Sequence, residues 1–184
     1  MKTIKLIVGL IVLTSLNLSA QETLSFEKVI KTDSVGKKII FATINDWFAT
    51  TYNSSNDVIQ MNDKDAGILI GKGLFEYNSN RHPFFSQYEY DGNIKYTIKI
   101  YVKDNRYKVV LTDFEHLGDL TRPSYSFSII TTAEDSGYKG PYQKFHNENW
   151  RDIKLECEEY SKDIFTSLEN KTKNIKVETS GDDW

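Results

Sequence analysis

The chain has 184 residues, enough for one domain with its own core. Its 39% hydrophobic and 13% aromatic content excludes a disordered chain, and one cysteine excludes a disulfide scaffold. A formal charge of -3 argues against a general nucleic-acid binder.

The first twenty residues have the pattern of a secretory signal peptide. Lys2 and Lys5 form a positive start, Leu6 to Leu13 is an apolar run broken by Gly9, and small and polar residues lead to Ser19-Ala20. Cleavage is expected after Ala20, although Leu18 is larger than the residue usual there. An uncleaved anchor helix is the competing reading. It is disfavoured because Leu6 to Leu18 is too short to span a bilayer with Thr14, Ser15 and Asn17 inside it. No cysteine lies near the cut, so a lipid anchor is not indicated. The mature chain, 21–184, is therefore expected to be exported, periplasmic or secreted, with no transmembrane segment. It loses Lys2 and Lys5 and no acid, so it is more acidic than the whole.

Leu24 to Thr32 predicts a short strand. Asp33 and Ser34 are candidate helix caps, and Ile40, Ile44, Trp47, Phe48 and Tyr52 fall on one face of a helix over 35–52. Trp47 and Phe48 read as core anchors of that helix on a sheet, not as a ligand box. Val58 to Asn62 and Ala66 to Tyr77 predict two strands around the turn Asp63-Lys64-Asp65. Gly67, Gly71 and Gly73 on one side of the second mark a close approach of backbone or a bend. Asn78 to Pro83 reads as a loop, and Tyr88 to Asn93 leads into the next strand.

Tyr96 to Phe114 predicts a β-hairpin turning at Asp104-Asn105, two residues that tolerate positive φ. Pairing Lys103 with Arg106 puts Ile98, Ile100, Val102, Tyr107, Val109 and Leu111 on one face. The other face carries Lys95, Lys99, Lys103, Arg106 and Lys108, with Tyr101 and Phe114 among them. Residues 115–146 read as a long irregular stretch with one strand, Ser124 to Thr131, in which Tyr125, Phe127 and Ile129 alternate with serines. The closing helix is predicted over 147–170 with the stripe Trp150, Ile153, Cys157, Tyr160, Ile164 and Leu168. Residues 171–184 read as a polar, flexible tail. The expected fold is a two-layer α+β domain over 21–170, an antiparallel sheet with two helices on one face, in the order β-α-β-β-β-β-(β)-α.

The segments DVIQMNDKDAGILIGKG (Asp57 to Gly73) and IKIYVKDNRYKVVLTDF (Ile98 to Phe114), with Trp47 late in the first helix, resemble domain-of-unknown-function family 4468. This is an exported family of Bacteroidetes-type bacteria. The resemblance covers Phe26 to Phe114, and the closing helix by position. It departs at Asn105, where the family more often has Gly; Asn serves the same turn. It implies a TATA-binding-protein-like fold and an exported address. It carries over no active site.

The chemistry-bearing residues offer little for catalysis, and no cofactor or metal is expected. Gly67 to Gly73 has the wrong glycine spacing for a phosphate loop, and Gly73 stands where a Ser or Thr is needed. His82, His116 and His146 have no zinc-ligand spacing, and Asp113, Glu115 and His116 read as a solvated strand end more readily than as a metal site. Cys157 with His146 could make a nucleophile and base, but Cys157 lies on an apolar stripe and reads as filler. The remaining candidate is the basic face: Lys95, Lys99, Tyr101, Lys103, Arg106 and Lys108. In the TATA-binding protein the helix-free sheet face grips its partner, and by analogy this face would meet anionic lipid, acidic glycan or an envelope protein, not nucleic acid. The alternative is a solvated face that discourages aggregation. The expected function is a non-catalytic binding or structural module of the bacterial envelope. A small envelope enzyme with its site in the 115–146 loop is the second reading.

Overall fold

The computed structural model describes residues 22–52, 58–79, 90–121, 123–173 and 175. The signal-peptide reading of 1–20, His82, and most of the tail fall outside them. The elements are β1 (Phe26–Lys31), α1 (Lys37–Thr51), β2 (Ile59–Asp63), β3 (Ile68–Tyr77), β4 (Gly92–Lys103), β5 (Arg106–Gly118), β6 (Ser128–Ile129) and α2 (Gln143–Lys173). The order is the one expected. The strands form one antiparallel sheet, β1-β5-β4-β3-β2, with β6 also on β5. Both helices pack on one face of it.

The central hairpin has the register that alternation demands. Lys103 faces Arg106, Val102 faces Tyr107 and Ile98 faces Leu111, with Asn105 at φ 63° in the turn. The even positions of β4 and the odd positions of β5 up to Leu111 lie in the core. At Asp113 (φ 55°) β5 carries one extra residue, a bulge that reverses its alternation. Phe114 is therefore fully buried on the helix side, not on the basic face where plain alternation put it. The same effect corrects the 124–131 strand. Strand β6 is confined to Ser128 and Ile129, with Thr131 bridging Thr23; Ser128 has φ 61°, and the buried residue is Ile130, while Ile129 is exposed.

The cap of α1 also differs from expectation. Its N-cap position is Gly36, with no side-chain bond of its own. The missing acceptor comes from the hairpin turn: Asp104 Oδ1 takes the Lys37 N–H at 2.8 Å. The turn is docked there by two backbone bonds, Asn105 N to Val35 O and Thr32 N to Asn105 O, both 2.9 Å. Asp33 and Ser34 lie in the preceding turn, Ser34 at φ 56°.

Gly71 lets α1 come close to the sheet, and Gly73 lets the Tyr96 ring lie across β3. A Cβ on Gly71 would lie 2.8 Å from Phe48 Cε1, and one on Gly73 would fall inside the Tyr96 ring. Gly67 belongs to the β2–β3 turn at φ 75°, not to the strand. Phe48 is thus the anchor on the sheet, whereas Trp47 reaches the other helix, donating Nε1–H to Ser167 Oγ at 2.9 Å. Helix α2 starts four residues before its predicted start and continues past Asn170. Thr172 is buried, donates to Leu168 O and accepts from Tyr107 Oη at 3.0 Å.

Candidate functional site

The histidines and Cys157 belong to the core. His116 Nδ1 accepts the Phe127 N–H at 3.3 Å, so Nε2 carries the proton and donates to Tyr90 O at 3.0 Å. Burial pushes its pKa down to about 4. The bulge turns His116 inward while Asp113 and Glu115 point outward, so the three do not converge. His146 meets Tyr90 Oη through Nδ1 at 2.8 Å and stacks on Tyr138, with centroids 3.8 Å apart. Cys157 lies three turns further along α2, roughly 16 Å by helical rise, which rules out a dyad with His146. It is fully buried, and desolvation drives its thiol pKa well above the ordinary value.

The aromatic side chains of the 115–146 region fill space. Tyr125 and Phe127 lie against Tyr90 and His146, and Phe127 meets Trp150 edge-on. A second polar element inside the core is a hydroxyl chain, Tyr52 to Tyr96 at 2.9 Å and Tyr96 to Tyr160 at 3.1 Å, joining α1, β4 and α2. Desolvation raises all three phenols, Tyr52 to about 12. They are neutral hydrogen-bonding groups at physiological pH.

The helix-free sheet face remains. All six sequence candidates lie on it: Lys95, Lys99, Tyr101 and Lys103 on β4, Arg106 and Lys108 on β5. Strand pairing adds Lys31, opposite Arg106, and Lys72, opposite Thr97. Neither was visible without the tertiary register. The charges are not equally free. Lys108 pairs with Glu27 at 2.5 Å and Lys99 with Asp113 at 3.7 Å. Five exposed large hydrophobic residues share this face: Val29, Met61, Leu74, Tyr101 and Ile129. At the bulge end, Lys72, Leu74, Lys95, Asp113, Glu115 and Ile129 help line a hollow of about 760 Å³.

A sheet backed by two helices on one face, with the other face open, defines a TBP-like α+β domain. Residues 26–116 match the family described as "Domain of unknown function (DUF4468) with TBP-like fold". Two crystal structures share the fold. One is a TBP-like protein from Parabacteroides distasonis, 17% identical, with a TM-score of 0.55 over 80% of this chain and 94% of that one. The other is a DUF4468 family protein from Bacteroides ovatus, 14% identical, with a TM-score of 0.56 over 82% and 86%. No curated protein matches the chain. Among the described residues no helix is long and apolar enough to cross a membrane.

Proposed function

We propose that this protein is an exported, non-catalytic binding module of the bacterial envelope that takes an anionic partner on the helix-free face of its sheet. One observation carries the reading. Exposed apolar side chains (Val29, Met61, Leu74, Tyr101 and Ile129) are interleaved there with Lys31, Lys72, Lys95, Lys103 and Arg106. Exposed apolar residues grouped within a charged rim are the mark of a contact surface. The signal-peptide pattern of residues 1–20 supports the export part.

The test is retention of the purified mature chain on anionic and neutral surfaces: vesicles with and without anionic lipid, and charged and uncharged polysaccharides. Binding is expected on anionic surfaces only, and it falls as salt screens exposed charges over about 8–10 Å. Equal retention on neutral surfaces overturns the reading.

A further inference from the structure

The basic face is not uniform, and the difference locates an anion subsite. At the hairpin end, Lys31 of β1 lies opposite Arg106 of β5, and Arg106 lies opposite Lys103 of β4. Adjacent strands are about 4.8 Å apart, so three cations stand abreast within roughly 10 Å. Like charges directly opposite one another destabilise a sheet. Elsewhere on the face carboxylates relieve that repulsion: Glu27 at Lys108 and Asp113 at Lys99. Among the described residues no carboxylate lies within ion-pair distance of Lys31, Lys103 or Arg106. The nearby Asp104 carboxylate accepts the first N–H of α1. The central cation is arginine, whose planar fork binds carboxylate, sulfate or phosphate through two parallel hydrogen bonds.

The surroundings decide between a membrane and a polymer. Glu27, Asp113 and Glu115 share the face with the lysines. A bilayer surface would press those carboxylates against lipid phosphates. A sugar polymer uses them, because its hydroxyls need acceptors as well as donors. In the row next to the cations, Tyr101 is 38% exposed, a surface for the apolar side of a sugar ring.

We propose that Lys31, Arg106 and Lys103 form the anion subsite for an acidic polysaccharide, seating the carboxylate or sulfate of one sugar while Tyr101 supports the neighbouring ring. This rests on the binding-face reading above.

The experiment titrates the full mature chain with polygalacturonate, dextran sulfate and neutral dextran, alongside phosphatidylglycerol and phosphatidylcholine vesicles. Wild type is expected to bind the two acidic polysaccharides at low salt and to ignore dextran. Their relative affinities identify carboxylate or sulfate as the preferred group. The triple variant Lys31→Gln/Lys103→Gln/Arg106→Gln should bind roughly tenfold more weakly or less. Its melting temperature should be unchanged or slightly raised, since neutralisation removes repulsion. Arg106→Lys, which keeps the charge but loses the fork, should fall between. Tyr101→Ala should weaken binding without altering its salt dependence. Lys72→Gln/Lys95→Gln at the far end of the face should weaken binding less than the triple variant does, and Lys144→Gln on α2 should behave as wild type.

Full binding by the triple variant overturns the subsite while leaving the module reading intact. So does loss confined to Lys72→Gln/Lys95→Gln. Binding to phosphatidylglycerol vesicles but to neither acidic polysaccharide overturns the ligand class alone. Failure to bind any anionic probe overturns both.

Discussion

At the scale of single residues, His116 and Cys157 give the sharpest expectations. His116 is fully buried and neutral, with one ring nitrogen donating and the other accepting. Its folded pKa of about 4 lies below its ordinary 6.5. The unfolded chain therefore binds the proton more readily, and stability falls as pH drops through 6.5 towards 4. The loss should approach about 3 kcal/mol. Urea unfolding at pH 7.5 and pH 4.5 measures it, and His116→Gln should flatten that pH dependence. Cys157 is buried on the core stripe of α2. Cys157→Ala should cost about 1 kcal/mol through lost packing, and an aromatic disulfide reagent should label the native thiol only after denaturant is added. The inertness of Cys157 was legible in the sequence, because a heptad-like stripe places it among Ile153, Tyr160 and Ile164. The sides taken by Phe114 and Ile129 were not. Each depends on one non-glycine residue with positive φ, Asp113 or Ser128, set within an alternating run whose pattern does not mark the irregularity.

Elements in this domain are completed by residues from elsewhere in the chain. The first turn of α1 is capped by Asp104, 67 residues downstream. Asp104→Ala should cost about 1 kcal/mol and Asp104→Asn less, as read from chemical denaturation. The β4–β5 hairpin could be read from alternation because its pairing is local. The cap could not, and neither could Lys31 as a member of the basic face, because both depend on contacts between distant segments. Strand β3 makes room for Tyr96 at Gly73. Gly73→Ala would drive a methyl group into that ring and disturb the Tyr52–Tyr96–Tyr160 hydroxyl chain. A loss of about 1–3 kcal/mol is expected, with a change in near-ultraviolet circular dichroism from the displaced tyrosines.

The whole molecule is two layers of different chemistry. Trp47, 2% exposed, ties the helices to each other through Ser167, while Lys171 reaches Asp46 at 2.6 Å and Lys28 reaches Glu169 at 2.7 Å. The ion pairs are exposed and contribute little, so the helix layer depends on Trp47 and its neighbours. Trp47→Ala should cost about 3–5 kcal/mol, and a thermal melt within a degree or two of wild type would contradict that role. The two-layer class followed from two amphipathic helices and alternating strands. The composition of the open face followed only once strand order placed β1 beside β5.

That strand order also fixes when the protein can fold. Among the described residues the only strand paired with β1 is β5, and the first turn of α1 waits for the β4–β5 turn. A polypeptide emerging from its N-terminus therefore gains neither until more than half of it has been made. Non-local pairing of this kind is slow to close. A nascent chain halted before β5 should be degraded rapidly by protease, and one halted after α2 should resist.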